Sequence, residues 1–238
     1  MILSRRLETL ISFVRPGFSA ADIGTDHGFV PIELVSRGIC PRALAMDVRP
    51  GPLSAAREHI RERRLEDRIE TRLSDGLECL LPGETDAILM AGMGGSLMLS
   101  LITAAPDKAR SARRLIVSPQ SEHARFREGL YRAGFLLVRE TDLWEDDKYY
   151  VIMEAVPGEA KLPSPAELAY GPLLLAGRSP ALKVLLGKEL RRISQVLDSL
   201  AGLASASASQ KREELQKKEA LLRQAMAYYG EESFDEGF

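Results

Sequence analysis

The 238-residue chain is predicted to form an α/β domain with a doubly wound, mostly parallel sheet, followed by a C-terminal helical hairpin. First, a short apolar strand at residues 20–23 leads into a glycine-containing loop, after which apolar residues recur at helical spacing. Second, strands and helices alternate as far as residue 155, which is typical of parallel sheets. Third, prolines and then leucines at helical spacing replace the strand pattern after Pro157.

The composition is that of an ordinary globular protein, with 45% hydrophobic and 28% charged residues. Cys40 and Cys79 stand far apart, so the sequence indicates two buried cysteines and neither a disulfide framework nor a metal site. No apolar run is long enough for a membrane span, and arginines interrupt the N-terminal segment. We therefore expect a cytoplasmic protein with no membrane contact.

Each element is predicted from its local pattern. Apolar residues from Leu3 to Val14 share one helical face, and Pro16-Gly17 ends this helix. Strands are expected at residues 20–23, 43–46, 69–73, 86–91, 114–117, 135–141 and 149–155, the last two joined as a hairpin by a loop over 144–148. Helices are expected at residues 29–37, 53–64, 96–102, 122–133 and 165–176, before two long helices.

The loop after the first strand, residues 24–28, is the expected ligand site, because doubly wound sheets bind ligands outside the carboxyl ends of their strands. It lacks the G-x-G-x-x-G spacing, and Asp26 would stand where the pyrophosphate of a dinucleotide must lie. Asp22 and Asp26 suit a ligand with ammonium and sulfonium groups, while backbone N–H groups bind its carboxylate. The loop therefore predicts S-adenosylmethionine.

Residues that follow the later strands are candidates for the rest of this site. Asp47 is placed to bind a ribose diol, although a helix-capping aspartate before Pro50 is the alternative. Asp75 can accept a hydrogen bond from the adenine amine, or can serve an ordinary Asp-Gly turn. Met93, in a loop of three glycines, lines the site or packs in the core. Gln120 reads a base edge or faces solvent.

Four segments together resemble the bacterial TrmK-type tRNA methyltransferases: residues 22–28 (Asp-Ile-Gly-Thr-Asp-His-Gly), 91–95 (Ala-Gly-Met-Gly-Gly), 118–120 (Ser-Pro-Gln) and 146–150 (Asp-Asp-Lys-Tyr-Tyr). The resemblance covers essentially the whole chain. It implies a Rossmann-like class I methyltransferase sheet of seven strands, one of them antiparallel, and methylation of N1 of adenine 22 in tRNA with S-adenosylmethionine as donor. The residues expected to bind the cofactor are Asp22, Gly24, Thr25, Asp26, His27, Gly28, Asp47, Val48, Asp75, Gly76, Ala91, Gly92, Met93 and Gly94.

The sequence after the fourth strand supports N1 as the target atom. Enzymes that methylate the exocyclic amine typically carry Asn/Asp-Pro-Pro-aromatic there, whereas this chain has Ala91-Gly-Met-Gly. N1 already has an in-plane lone pair, so positioning supplies most of the catalysis, a term worth about 7–11 kcal/mol. Methylation makes the adenine cationic, and we expect Asp26 to stabilise that charge or accept a proton. His27 is a second catalytic candidate or only a backbone hydrogen-bonding partner, and His59 and His123, on helices away from strand ends, are interpreted as structural.

Access to N1 requires an unpaired or flipped base. Phe29, Tyr149 and Tyr150 are candidates for the wall on which that base stacks, with core packing as the alternative for each. Arg5 and Arg6 lie off the apolar face of the first helix, where they form a solvated face or contact a substrate phosphate.

The sequence predicts three regions: a cofactor-binding domain over residues 1–157, a basic helical domain over 158–230 and an acidic tail over 231–238. Residues 161–230 carry 11 Lys and Arg against 6 Asp and Glu. Leu186 to Leu200 and Leu215 to Tyr229 form two apolar stripes, with a turn expected at residues 205–209 and a seam that serves the core or a dimer. The cations form a solvated face or contact the tRNA backbone, the main candidates being Arg191, Arg192, Lys211, Arg212, Lys217 and Lys218.

Two other functions are compatible with these patterns. A small-molecule methyltransferase would use the hairpin as a lid or dimer element and would turn over without RNA. A non-catalytic protein would bind S-adenosylmethionine and RNA without methyl transfer. Neither explains the basic hairpin and the loop motifs together as well as tRNA methylation does.

Overall fold

The structure is a computed structural model that describes residues 3–202, 205–230 and 234. The chain divides into two compact units, Met1–Leu162 and Pro163–Phe238. The predicted acidic tail lies outside the described residues, apart from Phe234.

The first unit is built on a seven-stranded sheet. Its strands are β1 Ala20–Ile23, β2 Ala43–Asp47, β3 Ile69–Leu73, β4 Ala87–Ala91, β5 Arg114–Ser118, β6 Phe135–Glu145 and β7 Lys148–Pro157. They lie in the order β3-β2-β1-β4-β5-β7-β6. β1 to β5 pair in parallel, and β7 runs antiparallel to both β5 and β6. The predicted sheet of seven strands with one antiparallel strand is therefore confirmed.

Helices cover both faces of this sheet, which is why β1, β2 and β4 are apolar and buried almost throughout. The helices are α1 Arg5–Ile11, α2 Phe29–Ser36, α3 Pro50–Glu62, α4 Gly95–Ala104, α5 Pro106–Ser111 and α6 His123–Arg132. The short α5 was not predicted. The strand order reverses between β1 and β4, so the loops that follow these two strands border a crevice of the kind in which such sheets bind ligands.

The hairpin of β6 and β7 differs from the predicted one. Both strands are longer, and a two-residue turn, Asp146-Asp147, replaces the expected five-residue loop. Both turn residues have a positive φ, 49° and 57°, as a tight turn between twisted antiparallel strands requires. Trp144, which was expected to begin the loop, is a strand residue paired with Tyr149.

The second unit contains α7 Pro165–Tyr170, α8 Pro172–Ala176, α9 Pro180–Leu200 and α10 Ala206–Met226, followed by a 3-10 turn at Ala227–Tyr229. The single helix expected over 165–176 is broken at Gly171, whose φ is 99°, by the proline that starts α8. The turn expected at 205–209 is also wrong, because Ser205 caps α10 by accepting a hydrogen bond from the Ala208 N–H at 3.2 Å.

The two long helices of the second unit form an antiparallel hairpin. Glu189 of α9 pairs with Lys218 of α10 at 3.3 Å, and the Tyr229 hydroxyl donates to the Ser179 carbonyl at 2.8 Å. The apolar seam between them is buried within the chain, with Leu186 and Leu222 inaccessible to solvent. The seam therefore forms a core of this unit, which was one of its two predicted roles.

Candidate active site

A cavity of about 560 Å³ lies at the carboxyl edge of the sheet, around the crevice between β1 and β4. The predicted site residues that line it are Arg6, Asp22, Gly24, Asp26, Phe29, Asp47, Val48, Asp75, Gly76, Ala91, Gly92, Met93 and Gln120. The predicted residues of the first unit that are described but do not line it are Arg5, Thr25, His27, Gly28, Gly94, Tyr149 and Tyr150. The structure thus gathers the loops after β1, β2, β3, β4 and β5 around one space.

The loop after β1 is held against β2 by its backbone. The N–H groups of Gly24 and Thr25 both donate to the Met46 carbonyl, at 2.8 and 2.9 Å. Gly24 has a φ of 75°, and a Cβ there would lie 2.3 Å from the Met93 methyl carbon. Only glycine fits this position without displacing Met93, so the loops after β1 and β4 are in direct contact at the cavity wall.

Asp22 lies near the carboxyl end of β1, just before this loop, and is buried. Burial raises the pKa of its carboxyl to about 6, the Thr25 hydroxyl opposes the rise, and the carboxylates of Asp47 and Asp26 add to it. Asp22 forms no ion pair with any residue that the structure describes, and a buried carboxylate in that position is stabilised by a cationic ligand group. Asp22 is therefore suited to an ammonium group.

Asp26 and His27 form an exposed pair at the mouth of the loop, with 3.3 Å between Asp26 Oδ1 and His27 Nε2. The His27 ring stacks on Phe29, and Phe29 stacks on His59, each at 5.4 Å between ring centres. His59 Nδ1 lies 2.9 Å from the His27 carbonyl oxygen. His59 is on a helix as expected, but it supports the loop after β1 and is not remote from the strand ends.

Two acids follow β2 and β3. Asp47 is buried, and its Oδ1 accepts a hydrogen bond from the Arg49 N–H at 2.7 Å. Arg49, not Asp47, occupies the N-cap of α3, so the helix-capping alternative for Asp47 is wrong. Ser74 orders the turn that carries Asp75, because its hydroxyl donates to the Gly76 carbonyl and accepts from the Cys79 N–H, both at 3.0 Å. The Cys79 residue itself is exposed, contrary to the prediction of a buried cysteine.

The loops after β4 and β5 are joined by backbone hydrogen bonds. The Gln120 N–H donates to the Met93 carbonyl at 2.9 Å, and the Gly95 N–H donates to the Ser121 carbonyl at 3.2 Å. His123 Nε2 lies 3.0 Å from the Pro119 carbonyl oxygen in the same loop. Burial, followed by the charge of Arg127, lowers the pKa of His123. His123 is structural as expected, but it stands directly after the β5 loop and not away from the strand ends.

Two tyrosines and two arginines were predicted to contact the substrate, and of these four only Arg6 lines the cavity. Tyr149 lies outside the cavity and donates its hydroxyl to Asp142 Oδ2 at 2.7 Å. Tyr150 carries the Arg6 guanidinium 5.1 Å from its ring centre, and Arg6 lines the cavity. The exposed Arg5 contacts Glu145 through its backbone N–H at 2.5 Å.

The cations of the second unit are partly neutralised within it. Lys211, Lys217 and Lys218 pair with Glu214, Glu213 and Glu189, at 2.9, 2.6 and 3.3 Å. Arg191 donates to the Phe234 carbonyl at 3.3 Å, and Arg192 is exposed. These ion pairs favour the solvated-face interpretation for the lysines more than for Arg192.

Several cavity residues were not predicted: Leu7, Ile23, Val30, Arg49, Ser74, Leu97 and Leu101. Leu97 is 53% exposed and Val48 is 57% exposed, so two large apolar side chains face the solvent at the carboxyl edge. Such exposure indicates a surface for an apolar ligand face. Among the described residues, no group of three His, Cys, Asp or Glu side chains could hold a metal ion. No helix in the described part of the chain is long and apolar enough to cross a membrane.

Comparison with known proteins gives consistent matches. Residues 3–153 match the family model of a methyltransferase domain. The tRNA (adenine(22)-N(1))-methyltransferase of Bacillus subtilis strain 168 is 30% identical over 230 residues, covering 94% of this chain and 97% of that protein. The crystal structure of the B. subtilis m1A22 tRNA methyltransferase TrmK matches with a TM-score of 0.85 at 30% identity, over 94% of this chain and 99% of that one. Sp1610 of Streptococcus pneumoniae, a candidate tRNA (m1A22) methyltransferase crystallised with S-adenosyl-L-methionine, matches with a TM-score of 0.85 at 30% identity, over 94% and 100%.

Proposed function

The chain belongs to the tRNA (adenine(22)-N(1))-methyltransferase family, and from this membership we propose that it methylates N1 of adenine 22 in tRNA in the cytoplasm, with S-adenosylmethionine as donor. The observation that carries the proposal is the cavity at the β1/β4 crevice, lined by Asp22, Asp47 and Asp75.

The cavity fits this cofactor in size and chemistry. Its volume of about 560 Å³ lies within the range of about 300–1,000 Å³ that small-molecule sites occupy. Asp22 suits the ammonium group, Asp47 the ribose hydroxyls and Asp75 the adenine amine. Val48 and Leu97 offer apolar surface for the two faces of the adenine ring. In the loop after β1, where the Gly24 and Thr25 N–H groups already donate to Met46, the N–H groups of residues 26–28 bind the carboxylate.

When bound, the cofactor supplies an electrophilic methyl group on its sulfonium. The protein then has to hold the target adenine with its N1 lone pair in line with that methyl group. Gln120 and Phe29 line the cavity beside the Gly24–Met93 contact and are placed to orient the base. Asp26 stands at the same mouth, where its carboxylate stabilises the cationic methyladenine. His27 lies outside the cavity and acts on the reaction through Asp26.

The two units divide the work in this proposal. Residues 1–157 bind the cofactor and the target base, and the helical unit that follows contacts the tRNA backbone through its cations. Phosphate contacts of this kind position the RNA without reading its sequence.

The proposal is tested by transfer of labelled methyl groups to two unmodified tRNA transcripts that differ only in having adenine or guanine at position 22. We expect 1-methyladenosine in the first transcript and no label in the second. Asp26→Ala is expected to lower kcat by roughly 100-fold or more while cofactor affinity is retained. Asp107→Asn, an exposed acid on α5, serves as the control.

Label on another nucleotide, or equal labelling of both transcripts, would contradict methylation at position 22. Absence of label from RNA despite cofactor binding would contradict tRNA as the substrate and favour a small-molecule methyl acceptor.

A further inference from the structure

Of the described residues, two cations line the cavity, Arg6 and Arg49, and their surroundings differ. Arg49 lies 3.6 Å from the Asp47 carboxylate and is largely exposed. The Arg6 guanidinium lies over the Tyr150 ring, and its Nη1 is enclosed by protein with no hydrogen-bond acceptor among the described residues. Arg6 is thus a guanidinium at the cavity wall for which the described part of the chain shows no ion pair with a carboxylate.

Both the backbone and the side chain of Arg6 are held by the β6–β7 hairpin. The Arg6 N–H donates to Glu145 Oε2 at 3.4 Å, at the end of β6. Tyr150, on β7, stacks on the guanidinium at 5.1 Å and is itself packed against the hydrophobic core. A cation over an aromatic face is attracted to it while the edge of the guanidinium stays available to an acceptor. The hairpin therefore presents Arg6 to the cavity in a fixed orientation.

The arrangement of charge in the cavity indicates what Arg6 binds. Asp22 lies in β1, Asp47 ends β2 and Asp75 follows β3, whereas Tyr150 stands on β7, beyond β4 and β5 in the sheet. An arginine that lacks a protein carboxylate is best neutralised by an oxyanion, with which it makes charge-assisted, often bidentate hydrogen bonds. A neutral base edge would leave its charge uncompensated.

Two oxyanions take part in the proposed reaction, the carboxylate of the cofactor and the phosphates of tRNA. In the loop after β1, the N–H groups of Gly24 and Thr25 already donate to Met46, which leaves those of residues 26–28 for the carboxylate, next to a strand that β4 and β5 separate from β7. We propose that Arg6 binds a phosphate group of the tRNA segment that carries the target adenine, and that Tyr150 is the positioning residue that orients its guanidinium. This inference rests on the proposed function.

The experiment measures methyl transfer to tRNA, cofactor affinity and salt dependence for Arg6→Gln. We expect kcat/KM for tRNA to fall roughly 10- to 100-fold, which corresponds to the loss of a hydrogen bond to a charged group, with cofactor affinity unchanged. The slope of log affinity for tRNA against log salt concentration should become shallower by about 0.7–0.9, the contribution of one phosphate contact.

A matched control is Arg139→Gln. Arg139 also stacks on an aromatic ring, Phe13, at 3.8 Å, but it does not line the cavity. Arg139→Gln removes the same charge and the same kind of contact as Arg6→Gln, but outside the cavity. Its kcat/KM for tRNA should therefore stay within about threefold of wild type. Arg6→Lys retains the charge without the planar fork, so its salt slope should stay near wild type while its kcat/KM falls between the two.

The role of Tyr150 is tested separately. Tyr150→Leu removes the ring and should raise KM for tRNA, whereas Tyr150→Phe, which retains it, should restore most of that loss. In the Arg6→Gln background, Tyr150→Leu should raise KM little further, because the guanidinium that Tyr150 orients is already absent. Thermal melting and cofactor affinity confirm that each variant is folded.

Three outcomes would overturn the assignment of Arg6: weaker cofactor binding in Arg6→Gln, which would indicate the carboxylate instead; an unchanged salt slope; or equal losses in Arg6→Gln and Arg139→Gln. A wild-type protein that methylates no tRNA would overturn the proposed function and this inference with it. Full activity of both wild type and Arg6→Gln would overturn the inference alone.

Discussion

At the scale of single residues, Asp22 couples stability to ligand binding. Its pKa is raised by burial from 3.8 to about 6, so the folded protein holds this proton more tightly than the unfolded chain does. The ionised form therefore destabilises the fold, and this cost appears as the pH rises from about 4 through about 6. A residue buried at a cost to stability is typical of a binding site.

Asp22→Asn is expected to raise the Tm at about pH 8 and leave it nearly unchanged at about pH 4, as measured by thermal melting. Asp86 provides a control of opposite sign, because hydrogen bonds from Ser19 lower its pKa. Its stabilising effect is present above the ordinary pKa and is lost in acid, so Asp86→Asn should lower the Tm at neutral pH. An Asp22→Asn protein that melts lower at pH 8 would contradict the burial argument.

The same carboxyl gives the cofactor affinity a pH dependence. Because only the ionised form attracts an ammonium group, affinity in the wild type should fall about tenfold between about pH 7 and pH 5. Asp22→Asn should bind weakly throughout and lose this dependence, as measured by calorimetric titration. A wild-type affinity that is flat over this range would show that Asp22 does not bind the ammonium group.

The acids at the strand ends were predictable, whereas Leu97, Leu101 and Arg49 were not. Asp47 ends one short strand and Asp75 comes two residues after the next, so their place at the carboxyl edge follows from topology. Leu97 and Leu101 lie on α4, where apolar periodicity identifies a face without telling what that face meets. Arg49 reaches the cavity from a helix N-cap that carried no pattern of its own.

At the scale of elements, the connection between α6 and β6 depends on a buried ion pair. Arg127 and Glu140 are in contact at 2.8 Å, with side chains 1% and 0% exposed. Removing one partner from a buried pair leaves an uncompensated charge, which costs more than the pair contributes as a whole. This pair fixes the helix that follows the β5 loop, and hence Gln120, against the terminal hairpin.

Glu140→Ala is expected to lower the free energy of unfolding by about 3–5 kcal/mol, measured by urea denaturation. The double variant Arg127→Met/Glu140→Leu should cost less, because no charge is left buried. Glu128→Ala, which breaks the exposed pair with Arg132, should cost less than about 1 kcal/mol. Equal losses in the Glu128 and Glu140 variants would contradict the role of burial.

The errors in predicting the elements have local physical causes. Asp146-Asp147 lacks the Asn-Gly or Asp-Gly signature of a two-residue hairpin, so the turn was assigned too many residues. The Ser-Ala alternation after residue 205 resembles a flexible turn, but serine caps a helix and alanine favours its interior. Buried parallel strands such as β1 and β4 were found correctly because their apolar runs are short and continuous.

At the scale of the whole molecule, the helical unit carries the excess of positive charge, with 11 basic and 6 acidic residues over 161–230. Ion pairs within the unit hold Lys211, Lys217, Lys218 and Arg223. Arg192 is exposed on α9 and is the better candidate for a tRNA phosphate contact. The composition of the sequence indicated the charge, whereas the pairing of each cation required side-chain positions.

Arg192→Gln is expected to raise KM for tRNA by roughly 2- to 10-fold at low salt, with a smaller effect as salt increases and no change in cofactor affinity. Arg223→Gln is the comparison, because Arg223 on α10 already forms an ion pair with Glu219 of that helix at 2.6 Å. A larger effect from Arg223 than from Arg192, in steady-state kinetics at several salt concentrations, would contradict this ranking.

The insertion of β7 between β5 and β6 affects how the protein is made. During translation, β5 lacks its partner on one side until β7 has emerged. β7 is that partner, and it is the last strand of the sheet along the chain. From Ser118 to Pro157 the ribosome adds about 40 residues, which takes roughly 2–8 s at 5–20 residues per second. For that time the nascent chain exposes an apolar strand edge of the kind that promotes aggregation. β7, which covers this edge, also carries Tyr150, the residue that holds Arg6 at the cavity wall. The pairing of β7 with β5 therefore completes both the sheet and the support of Arg6.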